Sequence, residues 1–248
     1  MKLEGRTAVI TGASKGIGAG LARALHARGL RVGLCARNPP VLYEGERVLI
    51  ARFDITDEQP MDEFVTRVEQ RFGHIDLWIN NAGVLEPIGP LRDLPLEEFR
   101  RNLDVNVLGV FLGTRAYVRH LRRSGKPGVL INISSGAARK GYAGWAPYCA
   151  SKAAVDLMSE CVALEEQEIG LRVHSVAPGV VDTDMQTLIR ATPADRFPSV
   201  DRFVEMKDKD TFSTIPHVAS ELLELAFGAD RDDAVRTSFP PDPRQDKS

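Results

Sequence analysis

Short runs of apolar and β-branched residues alternate along this chain with longer segments in which apolar residues recur every three or four positions. The first pattern is typical of buried strands, and the second is typical of helices packed on a sheet. We predict strands at residues 7–10, 31–36, 48–53, 76–80, 129–133 and 172–176. The helical spacing is clearest over residues 17–25, which end before Gly29, and over 107–121.

The alternation of strand and helix predicts the fold class. Consecutive parallel strands require crossover connections, and right-handed crossovers lay helices over both faces of the sheet. We therefore predict an α/β protein with a doubly wound parallel sheet, a Rossmann-like domain of three layers (α/β/α). Ligands of such sheets bind beyond the carboxyl ends of the strands, where the strand order reverses.

The domain organisation follows from length and from the irregular stretches. The 248 residues fit one α/β domain, which we place at residues 1–241, with a tail at 242–248. Residues 38–45 contain two prolines and predict a loop in place of a crossover helix. Residues 183–212 combine prolines with many charges and predict a flexible flap over the substrate.

Composition narrows the possible partners. Lys and Arg number 32 against 34 Asp and Glu, a net charge of −2, so we expect no binding of nucleic acid or of an anionic membrane surface. The first residues lack a signal-peptide pattern and no apolar run reaches membrane-spanning length, so we expect a cytoplasmic protein. Three cysteines without a CxxC pair, and histidines without metal-ligand spacing, predict neither disulfides nor a catalytic metal.

A glycine-rich turn joins the first predicted strand to the first predicted helix. Glycines allow the backbone to approach a pyrophosphate closely, and the free N–H groups at a helix start favour its negative charge. The turn lacks the GK[ST] ending of an ATP-binding loop, so we favour a dinucleotide. The candidate residues of the turn are Gly12, Ser14, Lys15, Gly16, Ile17 and Gly18.

The choice between NAD and NADP depends on the end of the second strand. A carboxylate at that place would bind the adenosine ribose hydroxyl of NAD. The strand ends instead in Arg37, and Lys15 lies in the glycine turn, so two cations can bracket a 2′-phosphate. We therefore predict NADP, in its reduced form NADPH, as the cofactor.

An ordered set of motifs resembles the short-chain dehydrogenase/reductase family over residues 7 to about 185. Each motif alone is weak, whereas the set in this order is highly specific. The motifs are residues 11–18, Asp54, residues 80–83, Asn106, Ser135, Tyr148, Lys152 and residues 178–183.

Tyr148 and Lys152 are the centre of the expected chemistry. They stand four positions apart on a predicted helix and therefore share a face. A phenol titrates near pH 10, and a nearby ammonium together with an oxidised nicotinamide favours its ionised form. Tyr148 can then act as acid and base in hydride transfer between the nicotinamide and a carbonyl carbon, while Ser135 positions the oxygen.

The family resemblance implies further roles. It implies that Lys152 also holds the nicotinamide ribose and that Asn106 kinks its helix and anchors a water of a proton relay. It implies a homodimer or homotetramer built on the helices near residues 96–123 and 146–167. The remaining implied cofactor residues are Asp54, Ile55, Asn81, Ala82, Gly83, Pro178, Gly179, Val181 and Thr183.

Residues 144–152, 163–166 and 177–186 are similar to sepiapterin reductases and to the related diketone (benzil) reductases. Sepiapterin reductases use an aspartate near the C-terminus to hold the pterin, whereas Arg236 and Thr237 stand in that region of this chain. We therefore favour reduction of a ketone, diketone or aldehyde. The predicted substrate pocket contains several aromatic side chains. Its residues are Val84, Leu85, Ser135, Tyr142, Trp145, Tyr148, Gly179, Met185 and Leu188.

Two other functions stay open at the level of sequence. The first is another enzyme of the same fold, such as a 3-oxoacyl-thioester reductase or a polyol or other alcohol dehydrogenase. The second is a non-catalytic protein that senses NADP. Loss of Ser135, Tyr148 or Lys152 would favour the sensor, and all three are present.

Overall fold

A parallel sheet of seven strands forms the centre of the molecule in the computed structural model, which describes residues 3–229 and 234–243. The strand order is β3-β2-β1-β4-β5-β6-β7. The strands are β1 (Thr7–Thr11), β2 (Arg31–Ala36), β3 (Val48–Arg52), β4 (Leu77–Asn80), β5 (Gly128–Ile133), β6 (Leu171–Ala177) and β7 (Arg236–Ser238). The predicted doubly wound α/β fold is confirmed.

Helices cover both faces of the sheet. The α-helices of the described ranges are α1 (Gly16–Ala27), α2 (Glu58–Phe72), α3 (Leu96–Leu103), α4 (Gly109–Ser124), α5 (Ala146–Glu165), α6 (Asp184–Ala191), α7 (Val200–Asp208) and α8 (Ile215–Phe227). A π-helical turn, Asp104–Leu108, joins α3 directly to α4. Short 3-10 turns lie at Leu91–Asp93, Gly136–Ala138 and Gln167–Ile169.

The strand order reverses at β1. This strand pairs with β2 on one side and with β4 on the other, where Ala8 is in register with Leu77. The chain winds outward from β1 in both directions, so the connections after β1 and β4 diverge and leave a crevice at their carboxyl ends.

Two apolar layers of the core lie on the sheet, one on each face. Successive residues of β1 alternate between them, with Ile10 in the layer under α1 and α8 and Val9 in the layer under α2 and α4. Both faces of β1 are covered, and each of its five residues is buried. This explains why such strands appear in the sequence as continuous apolar runs.

The six predicted strands agree with observed strands to within one residue at each end. Residues 38–45 contain no helix, as predicted. Strand β7 was not predicted: it is a three-residue edge strand of Arg, Thr and Ser, so no apolar run marks it.

Two predicted boundaries need comment. The flap at 183–212 contains α6 and α7, and its flexibility stays a prediction. The proposed tail begins too early, because Asp242 is buried and its carboxylate accepts hydrogen bonds from the backbone N–H and the hydroxyl of Thr214, 3.0 and 2.6 Å away. Residues 244–248 of that tail lie outside the described residues.

The described ranges hold no helix with the length and apolar character needed to cross a membrane. Over these same ranges, no three histidine, cysteine or acidic side chains are grouped so as to bind a metal ion.

Candidate active site

A cleft of about 760 Å³ opens at the carboxyl ends of β1, β2, β4, β5 and β6. The glycine turn and the segment after β4 form one part of its wall. The end of β5, the start of α5 and the flap form the opposite part. Its position is where the strand reversal predicts a ligand site.

The glycine turn is tied closely to the segment after β4. The Thr11 hydroxyl oxygen accepts hydrogen bonds from the backbone N–H groups of Asn81 and Ala82, 3.0 and 3.1 Å away. Gly12 has φ +68°, and a Cβ at this residue would lie 2.7 Å from Cα of Ala82. The two backbones therefore approach each other at a distance that only glycine permits.

The predicted cofactor residues are brought together by this packing. All of them line the cleft except Gly18. Gly18 lies behind the turn, where a Cβ would be 2.3 Å from Nδ2 of Asn81. The glycine turn, the start of α1 and the strand ends thus form a cradle of the shape and chemistry that a dinucleotide requires.

The two cations expected to meet a 2′-phosphate each lie near a carboxylate. A nitrogen of the Arg37 guanidinium is 3.7 Å from Asp54, and Nζ of Lys15 is 3.3 Å from Asp184. All four residues line the cleft, and both cationic side chains are more than half exposed. Solvent screens such exposed pairs, so both cations can bind an anionic ligand at small cost.

Tyr148, Lys152 and Ser135 meet at the inner end of the cleft. Tyr148 and Lys152 lie on one face of α5, with Nζ of Lys152 5.7 Å from the centroid of the Tyr148 ring. Nζ donates a hydrogen bond to the backbone carbonyl of Ile133, 2.8 Å away. Ser135 begins the 3-10 turn after β5, and its hydroxyl oxygen accepts a hydrogen bond from the N–H of Ala137.

Burial dominates the ionisation of both groups. It raises the pKa of Tyr148, while a hydrogen bond with the Ser135 side chain lowers that pKa and the neighbouring Cys149 raises it. Burial lowers the pKa of Lys152 to about 8, and the charge of Asp156 raises it in part. The phenol is therefore held in its proton-bearing form, and burial opposes the lowering that the sequence argument expected from the ammonium.

Asn106 does not line the cleft but lies behind its wall, in the π-helical turn. Its side chain accepts from the N–H of Val84 and donates to the carbonyl of Val84, both at 2.8 Å. It also donates to the hydroxyl of Ser151 on α5 at 3.0 Å. The expected helix irregularity at Asn106 is present. The hydrogen bonds of the Asn106 side chain tie the segment after β4 to α5.

The predicted substrate residues also line the cleft, and three of them, Tyr142, Trp145 and Tyr148, form an aromatic wall. The ring of Trp145 is 5.1 Å from that of Tyr142 and packs edge-on to Tyr148 at 5.9 Å. Sequence reasoning missed two residues of the flap: Phe197 stacks on Trp145 at 4.5 Å, and Phe203 packs on the same ring at 5.5 Å. Phenylalanines inside a charged, proline-containing stretch were the available signal.

The C-terminal segment contributes Ser238 and Phe239 to the cleft. Arg236 pairs instead with Glu160 on α5, with Nε 2.5 Å from Oε1. Its guanidinium group therefore has a structural partner on the helix.

Comparison with known proteins shows to which family the chain is similar. Residues 6–194 match the family model described as short chain dehydrogenase. The chain is 32% identical over 233 residues to a benzil reductase ((S)-benzoin forming) of Bacillus cereus, covering 89% of this chain and 93% of the relative. It is 34% identical over 235 residues to a cis-4-hydroxycyclohexanecarboxylate dehydrogenase of Sinomonas cyclohexanicum, covering 90% and 93%.

Solved structures show the same fold. The KRED1-Pglu enzyme superposes with a TM-score of 0.85 at 31% identity, covering 94% of this chain and 99% of the other. A short chain dehydrogenase of Burkholderia cenocepacia in complex with NADP superposes with a TM-score of 0.76 at 28% identity, covering 98% of both chains. The chain therefore belongs to the short-chain dehydrogenase/reductase family, whose members are oxidoreductases that bind a nicotinamide cofactor and act on carbonyl or alcohol substrates.

Proposed function

We propose that this protein is an NADPH-dependent carbonyl reductase that reduces a ketone, diketone or aldehyde, with Tyr148 as general acid and base. The observation that carries the proposal is the arrangement of two buried side chains, Tyr148 and Lys152, with the partly buried Ser135 at the inner end of a cleft with a dinucleotide cradle. A purely structural role would leave this clustering unexplained, because buried lysines are uncommon without a functional or paired partner.

The chain's own residues perform the proton chemistry. A nicotinamide cofactor, when bound, would supply the hydride to the carbonyl carbon. The hydroxyl of Tyr148 donates a proton to the carbonyl oxygen, and the Ser135 hydroxyl holds that oxygen in place. Lys152 holds a positive charge beside the phenol, which stabilises the tyrosinate left after proton transfer. Asn106 fixes the wall behind them through Val84 and Ser151.

The preference for NADPH rests on Lys15 and Arg37, which lie on the cleft wall near the first two strand ends. We expect Lys15→Ala and Arg37→Ala each to lower kcat/KM for NADPH roughly tenfold, since each removes a charge-assisted bond to the 2′-phosphate. The kcat/KM for NADH should change little, because NADH lacks that phosphate. Steady-state kinetics with both coenzymes measure the effect.

Arg52→Ala is the matched control for these two variants, since Arg52 is an exposed arginine at the end of the neighbouring strand β3. Its coenzyme ratio should equal that of the native chain. A native enzyme that prefers NADH would refute the role assigned to Lys15 and Arg37. The proposed role of Tyr148 as general acid and base would be unaffected.

The aromatic wall supports a planar or bulky carbonyl substrate. Trp145, Tyr142 and Phe203 present ring faces and edges to the cleft, and such rings favour flat apolar groups over sugars. Similarity to a benzil reductase over most of the chain favours a diketone among these substrates.

A panel of carbonyls tests the proposed substrate class. With NADPH in excess, we expect aromatic diketones such as benzil to be reduced at least about tenfold more efficiently, in kcat/KM, than small aliphatic ketones, because the larger ring surfaces bury more apolar area. The decrease in NADPH absorbance measures each rate. Selective reduction of a 3-oxoacyl thioester would favour the second enzyme class, and coenzyme binding without any turnover would favour the NADP sensor.

We further propose one domain, a homo-oligomer and a cytoplasmic location. Large apolar side chains are exposed along α4 and α5, among them Phe111 at 41%, Leu157 at 57% and Leu164 at 79%. An interface between copies along these helices would cover them. We also propose that the flap helices α6 and α7 move to admit substrate.

A further inference from the structure

Lys152 is a buried cation. Its side chain is 4% exposed, and among the described residues it is the only lysine or arginine that is buried. Removal from water favours the neutral amine, and buried charges are retained in proteins when a counter-charge or hydrogen bonds compensate. The backbone carbonyl of Ile133 supplies one hydrogen bond. A counter-charge must come from a buried carboxylate.

Asp156 is the carboxylate placed to supply it. It lies one helical turn after Lys152 on α5, is 3% exposed, and raises the pKa of Lys152. The other buried acidic residues of the described ranges have partners of their own. Glu166 lies 2.8 Å from the guanidinium of Arg122, and Asp242 binds Thr214.

Asp156 also ties α5 to β6 and to the residue that follows β5. Its Oδ1 accepts hydrogen bonds from the hydroxyl of Ser134, 2.5 Å away, and from that of Ser175, 2.7 Å away. Ser134 stands between Ile133, whose carbonyl receives the Lys152 hydrogen bond, and Ser135. The buried side chain of Asp156 therefore fixes residues 133–135, which carry the Ile133 carbonyl and the Ser135 hydroxyl.

We propose that Asp156 is a positioning residue of this site: it is the counter-charge that keeps Lys152 protonated beside Tyr148, and it holds residues 133–135 against α5. The kinetic part of this inference rests on the proposed function. The electrostatic part concerns the folded chain alone and can be tested without any substrate.

Other ionisable groups near α5 do not offer the same compensation. Those on α3 and the π-helical turn are exposed, and exposed charges are screened by water. Those on β6, Arg172 and His174, bond to backbone carbonyls of residues 225, 226 and 234. The exposed groups are Glu97, Glu98, Arg100, Arg101 and Asp104.

The first test is the pH profile of Asp156→Asn. The amide can still accept from both serines but carries no charge, so it isolates the electrostatic role. Because loss of the carboxylate favours the neutral amine, we expect the alkaline decline of kcat to move to lower pH by about one unit or more. A lowered kcat with an unmoved alkaline decline would mean a merely structural role and would overturn the proposal.

Glu166→Gln is the matched control. It neutralises another buried carboxylate, that of the residue directly after α5, about 20 Å from Lys152 along the helix axis. Its alkaline decline should coincide with that of the native chain. An equal shift in this variant would mean that neutralising any buried carboxylate near α5 moves the pH profile of kcat. That result would also overturn the proposal.

The second test is a double-mutant cycle on stability at neutral pH. Asp156→Asn should lower the thermal midpoint of the native chain. In a Lys152→Met chain it should raise the midpoint, because the carboxylate there is buried without its counter-charge. A midpoint that falls or stays unchanged in the Lys152→Met chain would overturn the counter-charge role of Asp156. This comparison needs only the two proteins that carry Lys152→Met, so it decides the question even if Asp156→Asn alone does not fold or no substrate is found.

Discussion

Tyr148→Phe is expected to lower kcat by about 10³-fold, since general acid–base catalysis by one side chain contributes up to about four orders of magnitude. The substitution removes one oxygen from a ring packed edge-on to Trp145 and leaves that packing unchanged. The dissociation constant of NADPH should change by no more than about twofold, because ring and backbone stay in place. Single-turnover kinetics and NADPH fluorescence titration measure the two quantities separately.

Tyr117→Phe is the control for this variant. Tyr117 is also buried, and its hydroxyl donates to the carbonyl of Ile75 and accepts from the N–H of Val129, both at 3.1 Å. Loss of this hydroxyl should lower the free energy of unfolding by about 1–3 kcal/mol and leave kcat near that of the native chain. Retention of full activity in Tyr148→Phe would remove the proposed mechanism.

Gly18→Ala is expected to weaken NADPH binding roughly tenfold to a hundredfold, since overpacking of this kind costs about 1–3 kcal/mol. A Cβ at this position would lie 2.3 Å from Nδ2 of Asn81 and 2.4 Å from the carbonyl oxygen of Gly12. Both neighbours belong to the cradle, and the Asn81 amide also binds the carbonyl of Thr11 at 2.9 Å. Equilibrium titration with NADPH measures the loss.

Gly141→Ala serves as the matched glycine variant. A Cβ at Gly141 would meet no atom within 4 Å, so NADPH affinity should be unchanged. If Gly18→Ala binds NADPH as tightly as the native chain, the turn and the segment after β4 do not act together as the cradle.

The fold was predictable because its signals are local and strong. Strands such as 31–36 are buried on both faces and bounded by turns, which makes them continuous apolar runs in the sequence. Tyr148 and Lys152 were found because their four-residue spacing defines a shared helix face. The glycine turn was found for a similar reason, since its spacing reflects a close backbone approach.

The remaining features depend on contacts between distant segments. The π-helical turn at Asn106 involves hydrogen bonds to Val84, and no periodic pattern marks it, so only the family resemblance implied a kink there. Phe197 reaches Trp145 only through the folding of the flap. The link between Asp156 and Ser134 crosses from α5 to the end of β5. The four-residue spacing between Lys152 and Asp156 is visible in the sequence, but the burial of Asp156 is not.

During synthesis, the first strand emerges long before its second neighbour. Strand β1 can pair with β2 early, whereas its other edge stays open until β4 leaves the ribosome. An open, apolar strand edge invites pairing with other chains. The nascent N-terminal half therefore exposes an apolar edge of β1, and β4 covers this edge when Leu77 comes into register with Ala8.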